Sequence, residues 1–167
     1  MTKENKLLLG LSLACTVAII VMIISLCIPK KTEQKPFVSP PFDDNAISGE
    51  PTVSKELGYG ILYQDGMSFK VGMCGNVKIV GTTADVYLTN VSENKLWLKV
   101  RFYDSDGNVV GESGLIKPGE YLKSVELNSV PKSSEKLTLK VMSYEPETYK
   151  SLGAITLTPN ISLEQPQ

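Results

Sequence analysis

The sequence predicts an all-β sandwich carried behind one N-terminal membrane helix, and three observations lead there. Between about residues 61 and 159, apolar side chains recur at every second position, the period of a half-buried strand. Turn chemistry, Asp-Gly and Pro-Gly, separates those runs at short intervals. Ahead of them lie 22 residues, 7–28, without a charge. The whole-chain averages, 42% hydrophobic with 17 basic and 18 acidic residues among 167, conceal this division into a very apolar head and a polar remainder.

Residues 1–6 form a short head, expected in the cytoplasm. At 1.5 Å per residue the run 7–28 reaches about 33 Å, enough for a hydrocarbon core of about 30 Å. A cleaved signal peptide has a shorter apolar stretch and small residues at the cut. Here the run ends Ser25-Leu26-Cys27-Ile28-Pro29-Lys30. Lipidation fits neither Cys15, which has apolar chain continuing after it, nor Cys27, which follows the bulky Leu26. The expectation is an uncleaved signal anchor that spans once. Lys3 and Lys6 nearly balance Lys30, Lys31 and Lys35 across it, so the positive-inside rule does not decide its direction. The six-residue head has no content of its own, which favours the C-terminal domain outside the plasma membrane. Gly10, Ala14 and Ala18 fall at spacing four, a stripe through which two anchors can pack as a homodimer, although Ala-containing spans also produce such stripes by chance.

Residues 29–60 read as a Pro-rich extracellular stalk. Pro29, Pro36, Pro40, Pro41 and Pro51 remove backbone donors and restrict their predecessors, so neither helix nor sheet is expected to propagate. Its apolar islands, Phe37-Val38 and Ile61-Leu62, are candidates to dock on the domain. The tail 160–167 reads as disordered. It carries no wall-sorting signal, which leaves the N-terminal helix as the expected anchor.

Within 61–159, Phe69, Val71 and Met73 alternate with polar neighbours, followed by Val77 and Ile79, then Ala84, Val86 and Leu88. Leu96, Leu98, Val100 and Phe102 alternate with Trp97, Lys99, Arg101 and Tyr103. Leu137, Leu139 and Val141 come next, and Ile155 and Leu157 close the series. Asp104-Ser105-Asp106-Gly107-Asn108 joins two strands, and Lys117-Pro118-Gly119-Glu120 suits a type II turn. Seven to eight short antiparallel strands without helical period predict an immunoglobulin/fibronectin-like sandwich. Cys74, the one cysteine of this domain, reads as a small buried hydrophobe.

The chain has no histidine, which removes the commonest general base, Ser/His and Cys/His nucleophiles and the usual zinc ligand. Asp104-x-Asp106-x-Asn108 begins like a calcium loop, but Val109 and Leu115 stand where glycine and glutamate are needed; a hairpin turn explains the same residues. Gly111-Glu112-Ser113-Gly114 has the wrong spacing for a nucleophile elbow. Glu145 and Glu147 flank Pro146 in a turn and are expected to be solvated. We therefore expect no enzyme, no metal and no cofactor. Balanced charge and the lack of a basic run argue against nucleic acid.

If Leu96, Leu98, Val100 and Phe102 face the core, then Trp97, Lys99, Arg101 and Tyr103 face out. Lys140, Met142 and Tyr144 lie on the matching side of the 137–144 strand, its expected neighbour. Exposed aromatics and Arg are enriched in interface centres, so Trp97, Lys99, Arg101, Tyr103, Lys140 and Tyr144 are the candidate partner-binding residues. The competing reading is that the cations merely cover the rings, and a one-residue slip in register would bury Trp97.

Met73-Cys74-Gly75-Asn76-Val77, Trp97-Leu98-Lys99-Val100-Arg101, Gly114-Leu115-Ile116-Lys117-Pro118-Gly119-Glu120-Tyr121 and Tyr144-Glu145-Pro146-Glu147-Thr148-Tyr149 resemble an uncharacterised family of small membrane-anchored or secreted immunoglobulin-like proteins of Gram-positive bacteria, some carried on conjugative elements. The resemblance covers about 67–158. It implies an extracellular setting and an accessory role, with no activity or site residues to carry over. The expected function is a non-enzymatic surface module that binds a protein partner, in a conjugation, secretion or cell-contact apparatus. The alternative is a module for cell-wall glycan or teichoic acid, with the aromatics as sugar platforms and the cations for phosphate.

Overall fold

The computed structural model describes residues 15–22, 37–63, 66–132 and 136–164. The chain divides into two units, Met1–Val38 and Ser39–Gln167. In the first, residues 15–22 are helical and exposed. Among the described residues no helix is long and apolar enough to cross a membrane. Most of the expected span 7–28 lies outside the described residues, as do the head 1–6, Gly10 and Ala14.

The second unit is all-β, two sheets closed on one core. The first sheet contains β1 (Ile47–Ser48), β2 (Tyr59–Leu62), β3 (Val71–Cys74), β4 (Asn76–Val80), β5 (Thr83–Asn90), β8 (Glu120–Glu126) and β11 (Asn160–Glu164). It runs β1-β8-β5-β3-β2. The strand β3 pairs with the end of β5 and β4 with its start, so Gly75 separates two halves of nearly one strand. On their far side β2 lies antiparallel to β3 and β11 parallel to β4. The second sheet has the order β10-β9-β6-β7, antiparallel throughout, with β6 at Trp97–Tyr103, β7 at Val109–Glu112, β9 at Thr138–Tyr144 and β10 at Ser151–Leu157.

The predicted alternation is what the core uses. Val71, Val77, Ile79, Ala84, Val86 and Leu88 from the first sheet meet Leu98, Val100, Phe102, Leu139 and Val141 from the second, all fully buried. Cys74 is fully buried too, and burial pushes its thiol up to about 11. At neutral pH it is a protonated hydrophobe.

Two expected boundaries are corrected. The stalk expected over 29–60 ends early: from Ser39 the chain belongs to the sandwich unit, where it supplies β1, a 3-10 turn at Lys55–Leu57 and the first half of β2. Of the tail expected over 160–167, Asn160–Glu164 form β11, held by Asn160 N–H donating to Gly75 O and by a 2.6 Å ion pair between Lys78 and Glu164. Eleven strands are therefore described where seven to eight were expected. Of the two apolar islands, Phe37 and Val38 are exposed, and Ile61-Leu62 sits exposed on the edge strand β2.

One buried amide ties β5 to the segments that enter β6 and leave β7. Asn90 Nδ2 donates to Leu96 O and Ile116 O at 2.9 Å each, and Asn90 Oδ1 accepts from Asn94 Nδ2 at 2.7 Å. Asn94 in turn bonds both backbone groups of Lys70. Because Asn90 is fully buried, water cannot replace these partners. Asn90→Ala should lower unfolding stability by about 2–3 kcal/mol, the cost of removing its three bonds to Leu96 O, Ile116 O and Asn94 Nδ2. Asn128→Ala, which removes one exposed 3.4 Å bond, should shift it by less than about 0.5 kcal/mol. Urea midpoints on the two variants check the contrast.

Candidate functional site

The face in question is the outer side of the second sheet. Leu98, Val100 and Phe102 point into the core, which turns Trp97, Lys99, Arg101 and Tyr103 outward. The strand β9 lies beside β6 in a register that sets Trp97 opposite Tyr144, Lys99 opposite Met142 and Arg101 opposite Lys140. All six residues picked from the sequence therefore share one face. Their surroundings differ. Lys140 is exposed, Trp97, Arg101, Tyr103 and Tyr144 are half-buried, and Lys99 is buried.

Trp97 anchors an aromatic cluster at one end of this face. Phe42 meets it edge-on, with ring centroids 4.7 Å apart and planes at 77°, and Tyr149 lies against it at 5.1 Å. The Lys117 ammonium sits 4.6 Å over the Phe42 ring. The Tyr144 hydroxyl turns to Met142 Sδ.

Phe42 reaches Trp97 because residues 41–43 are laid along 114–115. Leu115 N–H donates to Pro41 O and Asp43 N–H to Leu115 O, both at 2.9 Å, and the Asp43 carboxylate accepts from Gly114 N–H at 2.7 Å. The approach needs glycine: a Cβ on Gly114 would stand 2.5 Å from Asp43 N and 2.7 Å from Phe42 C. On the other flank, Tyr149 is held at a φ of 55°, an uncommon conformation for a bulky residue. Its N–H donates to Glu145 O, while Glu145 N–H donates to Lys150 O. Glu145 Oε2 also accepts from the Thr148 hydroxyl at 2.6 Å.

Phe42, Tyr149, Lys117 and Glu112 were not among the residues singled out from the sequence. Phe42 stood in the segment read as stalk, and only the Phe-Asp pair after two prolines hinted at a fixed position. Tyr149 was in view only as part of a turn.

The centre of the face is ionic. Glu112, on β7 opposite Arg101, accepts on the same oxygen, Oε2, from Arg101 Nε at 2.7 Å and Lys99 Nζ at 3.2 Å. Lys99 is 5% exposed, whereas the sequence placed its charge in solvent; it is buried with its ammonium on Glu112. Partial burial pushes the Glu112 carboxyl up, but the hydrogen bonds from Arg101 and Lys99 outweigh it and hold the group below the usual range.

Elsewhere the turn reading of Asp104 is what the side chain does. Asp104 Oδ1 accepts from the N–H groups of Asp106 and Asn108, and Oδ2 from Asn108 Nδ2, while Gly107 takes a φ of 82°. The bonds from Asn108 hold the Asp104 carboxyl below its usual range. Among the described residues no cluster of three acidic, Cys or His side chains is placed to hold a metal.

Compared with known proteins, the chain matches no family model, no curated protein and no solved structure.

Trp97 is the single tryptophan, so its emission reports the cluster directly. Gly114→Ala should displace residues 41–43 and red-shift that emission in a folded protein; an unchanged spectrum would show that Phe42 does not cover the indole. Glu112 gives a pH test. Its folded pKa lies below its unfolded value, so its stabilisation is present above the ordinary carboxylate pKa of about 4.3 and fades as pH falls through the folded value. Glu112→Gln should therefore destabilise at pH 7 and converge with the parent protein in acid, read from thermal midpoints across that range.

Proposed function

We propose that this protein is a non-enzymatic cell-surface module: an immunoglobulin-like sandwich on a single-pass anchor at 7–28, with its C-terminal domain outside, binding a protein partner through the outer face of the β6–β9 sheet. The 22 uncharged residues support the anchor. The absence of histidine supports a binding role over catalysis. The resemblance to surface proteins of Gram-positive bacteria supports an accessory place in a conjugation, secretion or cell-contact apparatus.

One observation carries the binding assignment. Trp97, Tyr103, Tyr144 and Arg101 are gathered half-exposed on one regular sheet face, and Phe42 and Tyr149 brace the tryptophan. Residues of these types, pre-positioned and only partly covered, are what interface hot spots are made of. Bracing also lowers the ordering cost of association. The wall-polymer alternative has less in its favour, because Trp97 already spends ring surface on Phe42 and Tyr149 and offers less to a stacking sugar.

Photo-crosslinking in living cells tests the assignment. A benzophenone amino acid at position 103 or 140 should give a discrete protein adduct, and the same group at Lys123, an exposed residue of the other sheet, should not. Equal adducts from both sheets, or adducts from position 123 alone, would contradict it.

A further inference from the structure

We infer that the ligand of this face is an acidic, extended segment of a partner protein, whose carboxylate seats between Arg101 and Lys140 while an apolar or aromatic side chain reaches the Trp97 cluster. The inference rests on the proposed use of the face and adds the chemistry of what it binds.

Charge is the first argument. On the strands β7, β6 and β9 the face holds three cations, Lys99, Arg101 and Lys140, against one carboxylate, Glu112. Both Lys99 and Arg101 lean on the same oxygen of it. Lys140 forms no ion pair among the described residues and stands directly across from Arg101, and like charges directly opposite in a sheet repel. A second carboxylate at that point relieves the repulsion and gives the cations an acceptor each. Ala154 and Thr156, the β10 neighbours of Met142 and Lys140, are small and exposed, so the Lys140 side of the face is open to it.

Geometry is the second. Trp97 and Arg101 are four residues apart on one strand, about 13 Å at about 3.3 Å per residue. A partner in extended conformation matches that separation with an acidic residue and an apolar residue four positions apart. A phosphate polymer uses the cations but leaves the aromatic end unemployed.

The test uses the full chain in detergent micelles, read by the Trp97 indole and the Arg101 and Lys140 amide resonances. The probes are capped nine-residue peptides, Ser throughout except for residue 3 (Glu, Gln or Lys) and Phe at position 7, together with poly(glycerol phosphate). The Glu peptide should bind about fivefold more tightly than the Gln peptide, and more tightly still than the Lys peptide. This preference should shrink in 0.5 M salt and disappear in Lys140→Glu. Lys140→Gln serves as a milder second variant, with retained thermal midpoints showing that both are folded. Equal binding of the Glu and Gln peptides at these resonances overturns the inference and leaves the docking face standing. Poly(glycerol phosphate) moving them at lower concentration than any peptide overturns it in favour of a wall polymer. If no probe moves them, both the inference and the proposed use of the face fall.

Discussion

The strict two-residue alternation of β6 is the constraint on which the rest of this molecule depends. Leu98, Val100 and Phe102 are fully buried at the centre of the sandwich, and moving the strand by one residue would send Trp97, Lys99 and Arg101 into the core. Burying three large apolar side chains is worth several kcal/mol in total, at about 1.5–3 kcal/mol each; burying two cations in their place is prohibitive. The register is thus fixed from inside, and the composition of the outer face follows from it. The same register puts Tyr144, Met142 and Lys140 beside Trp97, Lys99 and Arg101.

A face defined this way is flat until other segments shape it. Residues 41–43 cross Gly114 to deliver Phe42, and the turn after β9 delivers Tyr149 with its backbone in the left-handed region. Neither contact comes from the strand that carries Trp97. The strained backbone at Tyr149 is compensated by its bond to Glu145 and by ring packing. Sites that hold uncommon backbone conformations often do so to pre-organise a contact, and here the contact is the wall of the aromatic cluster. At the centre of the face, Glu112 keeps Lys99 and Arg101 from repelling each other, while Lys140 has no ion pair among the described residues.

Much of this was legible in the chain itself. The strands around Leu88, Val100 and Val141 announce themselves by period, the Asp104–Asn108 turn by its Asx and Gly residues, and the pairing of β6 with β9 by the strand order of an immunoglobulin-like sheet. The packing of 39–62 was not legible, because its order comes from distant partners. Asp43 is held by Gly114, and Tyr59 donates to Thr89 across 30 residues of sequence; a proline-rich segment shows no periodicity to reveal that. The strand β11 is short and pairs with β4 across 84 residues, so local pattern marks it only through Ile161 and Leu163. Lys99 was misjudged for another reason. Its position on the outer face was readable, but its burial goes with an ion pair to Glu112 on β7, a second strand that no window of β6 contains.

The central claim, that the domain lies outside the membrane and uses the β6–β9 face for recognition, is open to one direct measurement. In a Cys15→Ser, Cys27→Ser background, where the remaining Cys74 is fully buried, a cysteine introduced at Lys123 or at Lys140, on opposite sheets and both exposed, is labelled with a membrane-impermeant maleimide on intact cells and in the purified chain. The account predicts fast labelling at 123 in both settings, and labelling at 140 that is fast in the purified chain but slowed on cells, where a partner covers the face. Equal rates at both positions on cells would contradict the recognition face, and failure to label either position on cells would contradict the extracellular placement.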